Sequence, residues 1–295
     1  MSTGTVPQIR TRAALRDLIR VWRRDGLGIG LVPTMGALHA GHLSLIERAR
    51  SASDRVVVSL FVNPRQFGPG EDFAAYPRTE DDDLAKLASA GVDAAWLPSV
   101  DEMYPAGFAT SITVGGIAET LEGAHRPGHF NGVATVVAKL LLQVLPDAAY
   151  FGEKDYQQLQ VVRRLVRDLD IPVRIVPVET VRESDGLALS SRNRYLSPDE
   201  RRRAVAFPVA LRQVATQAAA HPEGPFEPLL ETARRTLAEA GFGPIDYVAI
   251  CDTESLAPVS SLAGPCRVLG AARIGRTRLI DNLPVLRADL PYEGS

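Results

Sequence analysis

The sequence predicts an α/β fold, with a parallel sheet in the first part of the chain and a smaller α+β domain after it. Short apolar runs alternate with helical patterns as far as residue 178, which is typical of a parallel sheet covered by helices on both faces. Two long helical patterns and three strand patterns follow. The 295 residues, 45% of them hydrophobic, suit two domains of about 150 residues each. We place these domains at 1–180 and 181–295.

Five apolar or β-branched runs predict the strands of the parallel sheet. They are Ile29 to Pro33, Arg55 to Val62, Ala94 to Pro98, Ala148 to Phe151 and Val173 to Val178. The stretches between them carry apolar residues at helical spacing. These helices are Leu43 to Ala52, Thr79 to Ala90 with Thr79 as its N-cap, Asn131 to Leu145, and Tyr156 to Asp168.

The pattern changes in the last third of the chain. Helices are predicted at Pro198 to Ala220 and Phe226 to Ala240. Strands are predicted at Ile245 to Cys251, Arg267 to Ile274 and Thr277 to Val285. The last two strands flank Gly275-Arg276, which indicates a tight hairpin turn and hence antiparallel pairing.

Composition excludes several classes of protein. The formal net charge of −2 argues against a nucleic-acid partner. No apolar run approaches the length needed to cross a membrane or to act as a signal peptide. Cys251 and Cys266 are too few for a disulfide framework and are expected in the core. We therefore expect a cytoplasmic protein.

The most informative motif is PTMGALHAGH, from Pro33 to His42. It follows a predicted strand and opens a helix, where ligands of parallel sheets bind and where free N–H groups favour phosphate. His39 and His42 lie three residues apart and could donate hydrogen bonds to phosphate oxygens. A pair of metal ligands or a structural role are the alternatives.

Three further stretches carry polar residues where a site is expected. Asn63 and Gln66 form an amide pair suited to a neutral polar substrate, although an Asn-Pro turn would also explain them. Lys154 and Asp155 open a helix, where they could meet phosphate and ribose. The run Ser190-Ser191-Arg192 suits a triphosphate clamp or, alternatively, a polar linker.

His39-Ala40-Gly41-His42 resembles the HxGH signature of the nucleotidyltransferase superfamily. From residue 29 to residue 282 the chain resembles the pantoate–β-alanine ligase family, also called pantothenate synthetases. The markers are PTMGALHAGH, FVNPRQF, YPRT, RPGHFNGV, FGEKDYQQ, SSRNRYL and RLIDN. The resemblance implies a Rossmann-like ATP- and pantoate-binding domain and a homodimer. It also implies that ATP, with Mg²⁺, drives the condensation of pantoate with β-alanine through a pantoyl adenylate, releasing AMP and pyrophosphate.

The resemblance also assigns residues. It implies catalytic roles for His39, His42 (a proton donor) and Lys154, and substrate binding by Gln66 and Gln158, with Asn63 and Arg126 as weaker candidates. No protein ligand to a metal is implied. The implied ATP-binding residues are Met35, Gly36, Ala37, Leu38, His39, Ala40, Gly41, His42, Gly152, Glu153, Lys154, Asp155, Val181, Ser190, Ser191 and Arg192.

Two rival functions remain open at this stage. One is transfer of AMP to a phosphate acceptor, which would share HxGH but has no use for the Gln66 and Gln158 amides. The other is a non-enzymatic nucleotide- or RNA-binding module, which the near-neutral charge disfavours. The segment 68–82, rich in Gly, Pro and acidic residues, is interpreted as a lid over a water-sensitive intermediate.

Overall fold

The computed structural model describes residues 5–286. Within them the chain forms two compact units, each assembled from separated stretches. Unit 1 comprises residues 5–119, 126–153 and 158–179. Unit 2 comprises residues 120–125, 154–157 and 180–286. The division of the chain into domains at 1–180 and 181–295 remains a prediction.

Unit 1 contains a six-stranded sheet in which every pair is parallel. Its order is β1-β4-β3-β2-β5-β6. The chain therefore builds one side of the sheet through β3 and β4 and the other through β5 and β6, so the switch in direction falls between β2 and β5. The strands are β1 (Gln8–Ile9), β2 (Ile29–Thr34), β3 (Arg55–Leu60), β4 (Ala94–Trp96), β5 (Ala148–Gly152) and β6 (Arg174–Val178).

Helices connect these strands. The fully buried side chains of Leu15 on α1, Ile46 on α2 and Leu87 on α3 show why each apolar stripe folds inward. The helix α6 is apolar on nearly all sides and is buried accordingly. The helices in this part of the chain are α1 (Arg12–Arg24), α2 (Ala40–Arg50), α3 (Glu80–Ser89), α4 (Val100–Met103), α5 (Glu122–His125), α6 (His129–Val144) and α7 (Tyr156–Asp168).

Unit 2 packs helices on a three-stranded antiparallel sheet of order β7-β8-β9. Phe207, Leu211 and Val268 are among the side chains of its core. Gly275 takes the left-handed conformation, with φ of 55°, in the turn that joins the last two strands. Its main elements are α8 (Pro198–Ala204), α9 (Ala206–Ala220), α10 (Glu227–Glu239), β7 (Phe242–Asp252), β8 (Cys266–Ile274) and β9 (Thr277–Val285).

The predicted α/β class with a smaller antiparallel α+β part is confirmed. Cys251 and Cys266 are buried, as expected. Among the described residues, no helix combines the length and apolar character that spanning a membrane requires.

One local prediction is wrong. The single helix expected over Pro198 to Ala220 is two helices, interrupted at Val205, whose N–H bonds to Arg203 O rather than continuing the helical ladder. Thr79 is the N-cap residue of α3, as predicted, although its side chain makes no capping bond. Its hydroxyl instead lies 3.1 Å from a carboxylate oxygen of Asp83.

Candidate active site

A buried carboxylate fixes the loop that leaves β2. Asp83, on α3, accepts from the backbone N–H of Ala37 at 2.8 Å and of Leu38 at 2.7 Å. Gly36 and Ala37 both have positive φ, 81° and 52°. The two bonds to Asp83 stabilise this strained backbone, and they bring the chain from the end of β2 into the start of α2.

His39 and His42 together cap the N-terminal end of α2, each accepting a backbone hydrogen bond there. The His39 Nδ1 accepts from Gly41 N–H at 3.1 Å, and the His42 Nδ1 accepts from His39 N–H at 3.3 Å. Their ring centroids are 4.1 Å apart. Because each Nδ1 accepts a backbone hydrogen, the proton of each neutral ring sits on Nε2. The sequence motif thus yields two paired Nε2–H donors at the carboxyl end of a central strand.

Gln66 lies in the turn that follows β3, with its amide orientation fixed by neighbours. Its Oε1 accepts from Asn63 Nδ2 at 3.1 Å, and its Nε2 lies 3.0 Å from the sulfur of Met35. A thioether is a weak acceptor. The Gln66 N–H group can therefore exchange this contact for a stronger acceptor on a ligand.

Asn63 is committed to holding this turn. Its Nδ2 also donates to Gly132 O at 3.1 Å, while its Oδ1 accepts from Arg65 N–H and from the hydroxyl of Tyr104 at 2.8 Å. Burial raises the pKa of Tyr104 to about 12, despite the opposing charge of Arg65, so this hydroxyl stays a donor. Asn63 has 1% of its surface exposed, and its hydrogen bond to Gln66 Oε1 orients the Gln66 amide.

Arg126 and His129 connect the same turn to the segment 68–79. Arg126 donates to both carboxylate oxygens of Glu71, at 2.7 and 2.6 Å. His129 Nδ1 lies 2.8 Å from Gln66 O, to which it must donate, so its Nε2 accepts from Arg126 Nη1 at 3.0 Å. Burial raises the pKa of Glu71, but the hydrogen bond and the charge of Arg126 outweigh it and hold that pKa below its ordinary value.

In unit 2, Lys154 follows the end of β5 in a short 3-10 turn, Glu153–Asp155. Its ammonium lies 4.0 Å from a carboxylate oxygen of Asp155. The carbonyl of Lys154 accepts from Asn282 Nδ2 on β9 at 2.9 Å. The backbone of the lysine is thereby fixed to the sheet of unit 2.

The remaining predicted residues of unit 2 lie in one irregular stretch. Val181 O accepts from Leu189 N–H at 3.0 Å, which folds residues 181–189 into a narrow loop. Ser190 caps a 3-10 turn, Ser191–Tyr195, by accepting from Arg192 N–H at 3.2 Å. This turn packs against β9.

The structure divides the predicted site residues between the units. Unit 1 gathers the Met35–His42 loop, Asn63, Gln66 and Arg126 at the carboxyl ends of β2 and β3, and it also contains Gly152, Glu153 and Gln158. Unit 2 contains Lys154, Asp155, Val181, Ser190, Ser191 and Arg192.

Several supporting residues were missed by sequence reasoning. Asp83 reads in sequence as one of four acidic residues at the start of a helix, and nothing there marks it as the partner of a loop 45 residues away. His129, Asp281 and Asn282 stand inside the quoted motifs RPGHFNGV and RLIDN, so the motifs themselves were an available signal. Among the described residues, no group of three or more His, Cys, Asp or Glu side chains is placed to hold a metal ion.

Fold and site together define an α/β enzyme whose polar groups gather at the carboxyl ends of parallel strands. The sequence profile of the pantoate-β-alanine ligase family matches residues 7–284. A pantothenate synthetase of Paramagnetospirillum magneticum is 56% identical, covering 97% of this chain and 99% of its own. One of Rhizorhabdus wittichii is 57% identical, covering 94% and 98%.

Solved structures agree with these relatives. The pantothenate synthetase of Thermus thermophilus superposes with a TM-score of 0.85 at 50% identity, covering 95% of this chain and 99% of its own. The pantoate-β-alanine ligase of Francisella tularensis, complexed with β-γ ATP and β-alanine, gives 0.81 at 36% identity, covering 95% and 98%. The chain belongs to the pantoate–β-alanine ligase family and is a ligase.

Proposed function

We propose that this ligase condenses pantoate with β-alanine in two steps, using ATP. In the first, a pantoate carboxylate oxygen attacks the α-phosphorus of ATP, the bond to the β-phosphate oxygen breaks, and pyrophosphate leaves. In the second, the β-alanine amine attacks the acyl carbon of the pantoyl adenylate, the bond from that carbon to the phosphate oxygen breaks, and AMP leaves as the amine loses a proton. The observation that carries the proposal is the reciprocal capping of His39 and His42.

The capped histidines suit the first step. A carboxylate is already a nucleophile, so the protein has to position it and to stabilise charge on the phosphates. The Nε2–H groups of His39 and His42 are oriented by backbone bonds before any ligand binds. We assign these groups, and the ammonium of Lys154, to the phosphate oxygens, with His42 as the proton donor toward pyrophosphate. The other ATP-binding residues that the family resemblance implies are assigned to the same nucleotide. They include Val181 and the stretch Ser190–Arg192.

Gln66 and Gln158 are assigned to pantoate. The Gln66 amide contacts only a weak acceptor through its N–H group. The Gln158 side chain is half-buried and makes no hydrogen bond to any described residue, so it does not cap α7. By contrast, Asn63 and Arg126 are occupied by neighbours, and we assign them to holding Gln66 and the segment 68–79.

Mg²⁺ is proposed to arrive with the nucleotide. An ion of this kind is commonly held by phosphate oxygens and water rather than by a dedicated protein cage. Bound Mg²⁺ would neutralise triphosphate charge. A homodimer and a cytoplasmic location also remain proposals.

The first step can be tested by itself. With pantoate, MgATP and labelled pyrophosphate, the enzyme is expected to exchange label into ATP in the absence of β-alanine, because the adenylate forms reversibly before the amine is used. Omitting pantoate should abolish the exchange. Exchange that requires β-alanine would contradict the two-step order, while consumption of ATP by β-alanine without pantoate would contradict the assigned substrates.

A further inference from the structure

One strand of unit 2 contacts every segment of that unit to which the proposed function assigns a role. The strand β9 carries the sequence RLIDN, Arg278 to Asn282, which the proposed function leaves without a task. Its side chains reach residues more than 90 positions away in the sequence, and they do so through buried polar contacts.

Asn282 fixes the backbone of Lys154. Its Nδ2 donates to Lys154 O at 2.9 Å, and its side chain is almost fully buried, with 3% of the residue exposed. The opposite amide orientation would place two oxygens against each other, so the N–H₂ group must face the carbonyl. The amide donor of Asn282 therefore restrains the Lys154 carbonyl from β9.

Asp281 fixes the neighbouring loop. Its carboxylate accepts from Arg182 Nη1 at 2.7 Å and Nη2 at 2.9 Å, and also from Asn282 N–H at 2.7 Å. Arg182 further donates to Asn282 O at 3.2 Å. Val181, the residue assigned to adenine, directly precedes this doubly bonded arginine.

Arg278 holds the stretch that follows Lys154. Its guanidinium donates to both oxygens of the buried Glu122, at 2.7 and 2.5 Å, and to Asp246 at 2.7 Å. Glu122 N–H in turn donates to the side chain of Gln157 at 2.9 Å. On β9, Arg278 and Asn282 are four residues apart and so share one face of the strand.

We infer that Asn282 and Asp281 are positioning residues for nucleotide chemistry, Asn282 acting through Lys154 and Asp281 through the Val181–Arg182 loop. The inference rests on the proposed function, since it takes Lys154 as a phosphate ligand. Neither residue needs to touch ATP. A displacement of about 1 Å in a positioned group can cost about a hundredfold in rate, and β9 is what prevents such a displacement of the lysine backbone.

A double-mutant cycle tests whether Asn282 acts through Lys154. Asn282→Ala should lower kcat of pyrophosphate exchange by about tenfold to about a hundredfold, with KM for pantoate near wild type. If Asn282 acts through Lys154, the same change made in Lys154→Ala should cause no further loss. Asn282→Asp keeps the volume but lacks the N–H donor, and it carries the test if the alanine variant does not fold.

Asp281→Asn tests whether Asp281 acts through the Val181–Arg182 loop. It should raise KM for ATP several-fold while KM for pantoate is unchanged. Thr277→Val is the matched control, because Thr277 lies on the same strand and its buried hydroxyl has no hydrogen-bond partner among the described residues. It should leave kcat and both KM values unchanged.

The outcomes separate the inference from the proposed function. Equal losses from Asn282→Ala with and without Lys154 would overturn the inference alone, as would a lowered Tm with normal kcat, or a loss in Thr277→Val as large as that in Asn282→Ala. An unchanged KM for ATP in Asp281→Asn would overturn the role of Asp281. A fully active Lys154→Ala would overturn the proposed phosphate role of Lys154 and the Asn282 inference with it.

Discussion

Gln66 and Gln158 differ in how the structure prepares them, although both are assigned to pantoate. Gln66 is buried and oriented by Asn63. Gln158 lies in the first turn of α7, is half-buried and is bonded to no described side chain. Under the proposed function, the first is therefore a preorganised donor, whereas the second would gain its partner only when substrate binds.

Gln158→Ala is expected to impair pantoate use and to leave ATP binding intact. Losing one hydrogen bond to the substrate costs about 1–3 kcal/mol, or about fivefold to more than a hundredfold in kcat/KM for pantoate. Steady-state kinetics for pantoate and calorimetric titration of ATP without pantoate measure the two effects. Equal weakening of both ligands would remove Gln158 from the pantoate site, and a lower Tm alone would make it a structural residue.

Glu71 should titrate below its ordinary range, and Arg126 should be the reason. Burial alone would raise the pKa of this carboxyl, and the hydrogen bond and charge of Arg126 reverse that effect. The ion pair therefore stabilises the protein above the unfolded pKa, and this contribution is lost as the pH falls through the lowered folded value. In Arg126→Ala the burial remains and both contributions of Arg126 are gone, so the pKa of Glu71 should rise from its wild-type value.

Carbon-13 NMR of the Glu71 carboxyl measures both values directly. A wild-type pKa at or above the ordinary value would show that the pair does not hold in solution. A lowered pKa that persists in Arg126→Ala would assign the effect to another group.

The residues that act through backbone groups are those that sequence reasoning could not place. Motif matching brought forward His39, His42 and Gln66 because their residue types suggest the chemistry. Asp83 was not found because its role is to accept two N–H bonds from a distant loop. Such a contact depends on how α3 packs, which neither spacing nor residue type reveals.

At the level of secondary-structure elements, the turn after β3 is positioned by its close approach to α6. A Cβ built on Gly132 would lie 2.1 Å from Arg65 O and 2.7 Å from the Cα of Gln66. Only glycine permits this approach. The contact explains a glycine in the RPGHFNGV motif, which the sequence alone left without a reason.

Gly132→Ala is expected to push the turn away from α6 and to displace Gln66. Overpacking of this kind costs about 1–3 kcal/mol of stability, and kcat/KM for pantoate should fall by about tenfold or more. Gly115→Ala is the control, because a Cβ there meets nothing within 4 Å. Thermal melting and pantoate kinetics of both variants test the expectation, and normal pantoate use in a folded Gly132→Ala would show that the turn adapts.

Most elements with a clear apolar pattern were predicted, whereas α1, β1, α4 and α5 were not. The α7 bounds agree residue for residue, because Leu159, Val162 and Leu165 mark its buried face. The two-residue strand β1 is too short to show any alternation. Helix α1 was overlooked although Leu15, Ile19 and Trp22 recur at helical spacing, so that omission reflects an unused signal.

For the whole molecule, the proposed function predicts stabilisation by nucleotide. A ligand that binds only the folded state at a hundred times its Kd adds about 2.7 kcal/mol, so saturating MgATP should raise Tm by several degrees. Lys154→Ala should show a smaller rise at the same concentration. Differential scanning calorimetry with MgATP, and with a matched concentration of MgCl₂ as control, measures the shift. An equal rise with MgCl₂ alone would contradict nucleotide binding as its cause.

The buried contact between Arg278 and Glu122 has a consequence for how this chain can be cut or recombined. Glu122 and Gln157 belong to unit 2 but precede its main stretch in the sequence. A fragment that began at residue 181 would leave the Arg278 guanidinium with Asp246 but without Glu122, and removing one partner of a buried ion pair is destabilising. The last third of the gene is therefore not a portable module: grafting it onto another protein, or exchanging it between relatives, requires residues 120–125 and 154–157 to be transplanted with it.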